Sequence, residues 1–100
     1  MNINTNPLDL INTERQRQIQ EKGWTREHDD EHADGELACA AAAFALESTG
    51  RNFEEAIITA WPWGEPMNPQ ESSLVCLVKA GALIVAEIER IQRNNHFERN

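Results

Sequence analysis

Apolar residues recur every three to four positions over most of the chain, which is the spacing of amphipathic α-helices. Helix-start and helix-stop residues bound these stretches, and no stretch shows the alternation typical of strands. The pattern predicts an all-α fold, a small bundle of three long helices and one short helix. One hundred residues leave room for a single core, so we interpret residues 1–100 as one helical domain with frayed ends at 1–6 and 94–100.

The first predicted helix begins at Asn6 and Pro7, because proline is favoured at the first helical position. Gly23 ends it. Its apolar stripe consists of Leu8, Ile11 and Ile19. Arg15 lies on the same stripe, where an arginine needs an acidic partner or a route past the core to water.

The next segment, residues 24–33, is predicted to be a loop or a frayed helical turn. Asp34 is a candidate N-cap for the second long helix, and Gly50 closes that helix. The predicted inward face of this helix consists of Leu37, Ala40, Ala41, Phe44 and Ser48. The alanine run allows another helix to approach closely.

A short helix is then predicted from Asn52, a candidate cap, to Pro62, which stops it. The last helix is predicted from about Gln70 to Arg93. Its main apolar stripe consists of Leu74, Leu77, Val78, Gly81, Val85 and Ile88, and its opposite face carries Cys76, Leu83 and Ala86. We therefore expect the first turns of this helix to be buried on two sides.

The net charge of −8 argues against a nucleic-acid partner, because a phosphate backbone attracts basic surfaces. An acidic surface suits divalent cations or a basic groove on another protein. A core this small is marginal on its own, which favours a homo-oligomer.

The two cysteines, Cys39 and Cys76, lie in apolar helical stretches and are predicted to be small buried hydrophobes without a disulfide. A reducing cytoplasm fits this use of cysteine. The N-terminus has no signal-peptide pattern. The longest apolar stretch, Leu74–Ile88, is interrupted by Lys79 and Glu87 and is too short to span a bilayer, so no membrane association is expected.

Residues 27–36, EHDDEHADGE, are the densest cluster of chemically active side chains. They contain six carboxylates and two of the three histidines. His28, His32 and Glu36 are spaced by four, so they would share one face of a continuous helix. The Asp34-Gly35 pair, which resembles a helix start, would interrupt that face.

Carboxylate and imidazole groups are ligands of divalent metals and also act in acid–base catalysis. The predicted metal ligands are His28, Asp29, Asp30, His32 and Glu36, with Glu36 and His32 as the catalytic candidates. An oxygen-rich set favours Mg²⁺ or Mn²⁺, and the histidines leave Zn²⁺ open. The alternative is a solvated acidic loop that caps a helix or contacts a partner.

Four further residues are candidates for binding a nucleotide. Lys79 and Arg15 could contact phosphates. The alternative for Lys79 is a side chain that extends along the surface and places its ammonium in water. The alternative for Arg15, which we favour, is a structural ion pair. Trp61 and Trp63 could stack on a base, but we favour a role as a lid over the core.

Two acidic residues of the last helix carry alternatives of their own. Glu87 could face Glu36 across the bundle as a metal ligand. Glu87 and Glu89 also lie at helical spacing from Arg90 and Arg93, which predicts local ion pairs.

The strings GWTREHDDEH, GEL, WPW and LVKAGALIVAEIER resemble a family of small uncharacterised proteins of tailed phages and prophages, over about residues 14–93. The resemblance implies a phage or prophage origin and the host cytoplasm. A weaker resemblance is to all-α nucleotide pyrophosphohydrolases of the MazG and dimeric dUTPase type. It implies an oligomer that binds Mg²⁺ through carboxylates on facing helices, although Glu36 here lacks the second acid of their Glu-x-x-Glu motif.

These observations lead to two functional hypotheses and a simpler alternative. The first is a protein that binds or hydrolyses a nucleotide through a divalent metal at the acidic segment, with water activated by the metal in a hydrolytic version. The second is a non-enzymatic accessory or counter-defence protein that sequesters a signalling nucleotide or blocks a host protein with its acidic surface. The alternative is a structural or assembly factor with an incidental acidic loop.

Overall fold

Five helices follow one another in the computed structural model, which describes residues 5–65, 67 and 71–95. They are α1 (Pro7–Glu21), α2 (Arg26–Asp30), α3 (Glu36–Glu47), α4 (Glu54–Ala60) and α5 (Ser73–Asn95). The all-α prediction is confirmed. The helix count differs from the predicted four because the acidic segment forms the single-turn helix α2. The predicted fraying of the extreme termini falls partly on residues 1–4 and 96–100, outside the described residues.

The helix starts follow the predicted caps only in part. The side chain of Asn6 accepts a hydrogen bond from the backbone N–H of Leu8 at 2.9 Å, as expected of an N-cap. Asp34 and Asn52 are not caps: the N-cap positions of α3 and α4 are Gly35 and Phe53, and neither uses a side chain. The predicted start of the last helix at Gln70 lies outside the described residues.

Helices α3 and α5 form the main packing interface, with α1, α2 and α4 around them. The buried cluster between them consists of Leu37, Ala40, Ala41, Phe44, Cys76, Ala80, Leu83 and Ala86. The predicted inward face of α3 is confirmed except at Ser48, which is half-buried. Alanines on both helices allow their backbones to approach closely, which is why α3 and α5 can share one small core.

The face of α5 that meets the core differs from the prediction. Cys76, Leu83 and Ala86, assigned to the secondary face, are almost fully buried. Within the predicted main stripe, Val78 is buried, in line with the expected burial of the first turns on two sides, but Leu77 and Ile88 are about half exposed. The smaller residues of α5 therefore face α3, and several of its largest apolar residues face outward.

Helix α1 also presents an unexpected face to the protein. Its buried residues are Glu14, Arg15 and Gln18, whereas Leu8 is 75% exposed. Ile11 packs at Gly81 of α5, where a β-carbon added to the glycine would lie 2.7 Å from the Ile11 Cδ1 atom. Ile11 therefore packs closely on α5, and the next turns of α1 bury the polar residues Glu14, Arg15 and Gln18.

The cysteines differ in environment. Cys76 is buried, as predicted, and burial among apolar neighbours raises the pKa of its thiol above the ordinary value, with the charges of Glu71 and Glu47 adding to the effect. Cys39 is exposed, so its predicted burial is wrong. Among the described helices, none combines the length and the apolar character needed to cross a membrane.

A buried cation joins three helical segments. Arg15, 3% exposed, donates from Nη2 to Asp29 Oδ2 of α2 at 2.6 Å. Its Nε donates to Glu89 Oε1 of α5 at 3.2 Å, and its Nη1 donates to the carbonyl of Trp24 at 3.3 Å. The preferred interpretation of Arg15 as a structural ion pair is confirmed.

We expect Arg15→Met to destabilise the protein by about 3–5 kcal/mol, because it leaves Asp29 buried without its charge partner. The double variant Arg15→Met/Asp29→Asn should lose less than the sum of the two single changes, since no uncompensated charge remains. Urea denaturation of the four proteins measures this coupling. Arg26→Met, which removes an exposed guanidinium nearby, is the control and should change the free energy of unfolding little; strict additivity of Arg15 and Asp29 would contradict the prediction.

Candidate functional site

The acidic segment is held as a short helix between two glycine turns. Gly23 (φ 71°) precedes it and Gly35 (φ 86°) follows it, and both adopt the left-handed conformation that other residues rarely reach. The Thr25 side chain caps α2 by accepting a hydrogen bond from the His28 N–H at 3.4 Å. The His32 N–H donates to the Asp29 carbonyl at 3.0 Å, so the turn continues past the end of α2.

His28, His32 and Glu36 lie side by side although the helix is interrupted between them. The two imidazole rings are 4.8 Å apart between centroids, at an interplanar angle of 69°. His32 Nδ1 lies 3.3 Å from Glu36 Oε2. The predicted grouping at a spacing of four is thus present, and the turn at Gly35 does not separate its members.

Asp29 and Asp30, the other predicted metal ligands, are engaged by arginines. Asp29 is 1% exposed and is bound through Oδ2 by Arg15. Its second oxygen, Oδ1, lies 3.6 Å from His28 Nδ1, and both of these atoms are buried without a hydrogen-bond partner among the described residues. Asp30 accepts a hydrogen bond from Arg93 at 2.8 Å. Their negative charge is therefore compensated within the protein.

Aromatic rings surround the two histidines. Trp24 stacks parallel to His28, with centroids 6.1 Å apart. Trp63 meets the edge of His32 at 5.7 Å and lies 5.0 Å from Trp61. The site thus has imidazole at its centre and indole on two sides.

Trp61 and Trp63 pack against the core cluster, which confirms their predicted role as a lid. They also line an open groove of about 490 Å³. The other apolar residues of this groove are Phe53, Ile57, Ile58 and Met67. Trp61 donates its indole N–H to the carbonyl of Glu65, which fixes the loop that carries both rings.

Arg15 and Lys79, the two residues predicted to contact phosphates, are both already paired with acidic side chains. Arg15 is buried in the ion pairs described above. Lys79 is bound by both carboxylate oxygens of Glu71 and lies 5.8 Å from the centre of the Phe44 ring. Each cation already has an acidic partner, so binding a phosphate would require it to exchange that partner.

Local hydrogen bonds and charges set the protonation of two acids. Glu36 accepts from its own backbone N–H and from that of Asp34, and with His32 beside it these contacts hold its pKa below the ordinary value. For Glu14, burial opposes ionisation, but hydrogen bonds and charge from Arg17, with a hydrogen bond from Gln18, outweigh it and lower the pKa. Both carboxylates are ionised at neutral pH.

Several residues that build the site were not identified from the sequence. Glu89 pairs with Arg15 and Arg93 pairs with Asp30, so the predicted local pairs within α5 form only between Glu87 and Arg90. Both carboxylate oxygens of Glu87 accept hydrogen bonds from Arg90, which favours the local ion pair over a role as a metal ligand. A spacing of three residues in the sequence predicts an ion pair within one helix. An ion pair between two helices has no such spacing and cannot be found in this way.

Across residues 5–65, 67 and 71–95, no group of three or more His, Cys, Asp or Glu side chains is arranged to hold a metal ion. The histidine pair is therefore at most a two-ligand site. Comparison of the chain with protein-family models, with curated proteins and with solved structures finds no match.

We expect the stability of the protein to fall as the pH drops below about 4.5, the ordinary value for a glutamate. A carboxylate whose pKa is lowered by folding stabilises the native state fully above its unfolded value, and this contribution is lost as the pH falls through the folded value. Glu36→Gln should flatten the acid side of the stability profile, measured by urea denaturation at successive pH values. Glu31→Gln, at an exposed site in the same segment, should keep the parental slope; an unchanged slope in Glu36→Gln would contradict the prediction.

Proposed function

We propose that the chain binds a divalent transition-metal ion through His28 and His32, and that this ion holds the phosphate of a nucleotide. One observation carries the proposal: each imidazole has a carboxylate oxygen beside its Nδ1 atom, Asp29 Oδ1 at 3.6 Å and Glu36 Oε2 at 3.3 Å. Histidines that bind metals commonly direct their second nitrogen to a carboxylate, which fixes the tautomer and the ring orientation. In this arrangement Nε2 is the metal-binding atom of both rings.

The remaining contacts favour an ion that prefers nitrogen ligands. Asp29 and Asp30 are compensated by Arg15 and Arg93, which leaves fewer carboxylate oxygens for Mg²⁺ or Mn²⁺ than the sequence suggested. Imidazole pairs suit Zn²⁺ and its neighbours in the first transition row. Two protein ligands leave the other coordination positions to water or to an anionic ligand.

The aromatic surroundings support a nucleotide as that ligand. Trp63 borders His32 on one side and lines the groove on the other. A base stacked on Trp61 or Trp63 would therefore lie near the ion that takes its phosphate. Because Arg15 and Lys79 are already paired, the metal supplies the positive charge that the phosphate needs.

Binding is better supported than hydrolysis. A general base works best when its pKa lies near the working pH. The pKa of Glu36 is held below the ordinary value by backbone hydrogen bonds, which makes its carboxylate a weak proton acceptor. Glu36 and His32 remain the candidate catalytic residues of a hydrolytic version, in which the metal would activate water.

A second candidate is a protein-blocking role for the acidic surface. Glu27, Glu31 and Asp34 are exposed on the same segment, and no described residue forms an ion pair with them. Such a surface suits a basic groove on a host protein. The phage or prophage origin stays a prediction from the resemblance.

We expect Zn²⁺ to raise the thermal unfolding midpoint of the tag-free protein, and EDTA to reverse the rise. Binding to the native state alone adds about 2.7 kcal/mol of stability at a hundredfold excess over the dissociation constant. The double variant His28→Gln/His32→Gln should lose this response, and Co²⁺ bound to the parent should give a visible absorption band that the variant lacks.

Three matched variants separate this site from other metal-binding groups. Cys39→Ser removes an exposed thiol, His96→Gln removes the third histidine, and Glu31→Gln removes an exposed carboxylate of the same segment. All three should keep the response to Zn²⁺. If the parent shows no response to Zn²⁺, or if Cys39→Ser abolishes the response, the proposed site is wrong. A protein partner whose association rate with this chain falls steeply as the salt concentration rises would then favour the protein-blocking role of the acidic surface.

With Zn²⁺ bound, we expect one class of nucleotide to raise the midpoint further. Trp63→Leu should lower the affinity for that nucleotide by roughly 5- to 150-fold, because stacking on an aromatic ring contributes about 1–3 kcal/mol per base. The same variant should keep the Zn²⁺ response. Titration calorimetry with Zn²⁺ and with a panel of nucleotides measures both affinities, and equal nucleotide affinities of the parent and Trp63→Leu would contradict a stacked base.

A further inference from the structure

Helix α5 carries an apolar seam that the rest of the described chain leaves uncovered. The seam consists of Leu77, Ile84, Ile88 and Ile91, which are 52%, 49%, 50% and 41% exposed. At 100° per residue these four side chains lie within about 60° of one another around the helix axis. They therefore form one narrow line along α5.

The spacing of the seam is that of a coiled coil. Its steps are seven, four and three residues, so its members occupy the d, d, a and d positions of consecutive heptads. Such a line packs against a second helix rather than against a flat surface. Neither neighbouring helix covers the seam fully. Helix α3 packs on a face centred roughly 120° round the helix axis, at Cys76, Leu83 and Ala86. Helix α1 reaches the intervening a position, Gly81, through Ile11.

The distribution of side-chain sizes supports the same conclusion. Six of the eleven buried hydrophobic residues in the described part of the chain are alanine, so the core there buries few large side chains. Meanwhile the seam exposes three isoleucines and a leucine. A domain of about one hundred residues is only marginally stable even with a full core, and covering the seam would add the burial that the core lacks.

We propose that the seam is the interface of a homodimer in which α5 packs against α5 of a second copy. A two-fold axis places the same surface on both subunits, and a straight line of similar apolar residues is complementary to itself. The proposal does not rest on the metal site.

The available area agrees with a second copy. About half of each of the four side chains is exposed, so the seam offers roughly 400 Å², close to the apolar share of the 800 Å² that each partner contributes to a standard interface. The polar residues along its edges and the exposed Leu8 of α1, one turn before Ile11, can supply the remainder.

Charge does not oppose this pairing. The net charge of the chain is −8, but the ionic residues of α5 are Lys79, Glu87, Glu89, Arg90 and Arg93, and each has an opposite partner within the subunit. Two copies of this face therefore meet without strong repulsion. An anionic membrane would repel the rest of the chain.

The test is sedimentation of the full chain over a range of concentrations, for the parent and for Ile84→Glu/Ile88→Glu. We expect the parent to be a dimer and the variant a monomer with unchanged helical circular dichroism. Burying two glutamates in the seam should raise the dimer dissociation constant on the order of 100-fold or more. Ile58→Glu changes an isoleucine that is 67% exposed on α4, and this matched control should remain a dimer.

Ile84→Ala/Ile88→Ala keeps the test decisive if the glutamate variant fails to fold, because alanine preserves the helix while shortening two of the four seam side chains. This variant should weaken the dimer as well. A parent that stays monomeric up to about 100 μM, a concentration at which a dimer with a dissociation constant of about 1 μM is largely formed, would overturn the proposal. So would a dimer that both seam variants leave intact, or a monomer that floats with anionic vesicles.

Discussion

The buried guanidinium of Arg15 is the constraint on which the arrangement of the helices depends. Taking a cation out of water is costly unless charged and polar partners surround it. Arg15 finds these partners on three segments: Asp29 of α2, Glu89 of α5 and the carbonyl of Trp24. Each contact requires one segment at one position, so the cation fixes how α1, α2 and α5 lie relative to one another. This explains why α1 buries its polar residues while Leu8 is left outside.

The same cation determines what the acidic segment can do. Asp29 would be difficult to bury without Arg15, and its burial places Oδ1 beside the Nδ1 atom of His28. Arg93 compensates Asp30 in a similar way. Two of the six neighbouring carboxylates are therefore compensated by arginines from outside the segment. The imidazole pair, with a carboxylate oxygen beside each Nδ1 atom, is the reason for our proposal of a nitrogen-preferring ion rather than Mg²⁺.

The sequence predicts the helices better than it predicts their faces. Pro7, Gly23, Gly50 and Pro62 bound helices because their backbone preferences act locally. His28, His32 and Glu36 likewise remain grouped in space despite the turn at Gly35, because residues this near in the sequence stay close whether or not the helix continues. The face of α5 could not be predicted in this way, because periodicity shows which residues share a face but not which face meets the core. The long-range pairs of Arg15 and Arg93 were equally hidden, since their partners are 63 to 74 residues away.

The outward isoleucines and the inward alanines of α5 follow from one geometric requirement. Helices α3 and α5 approach closely only if both present small side chains, and α3 contributes Ala40 and Ala41 where α5 contributes Ala80 and Ala86. With Ala80 and Ala86 on that face, Leu83 is the large residue of α5 that the shared core accommodates, and Leu77, Ile84, Ile88 and Ile91 lie elsewhere on the helix. A sequence selected only for a monomer could carry polar residues there at no loss to the core. Leucine and isoleucine at heptad spacing on this second face are instead the reason for our proposal that α5 of a second copy packs there.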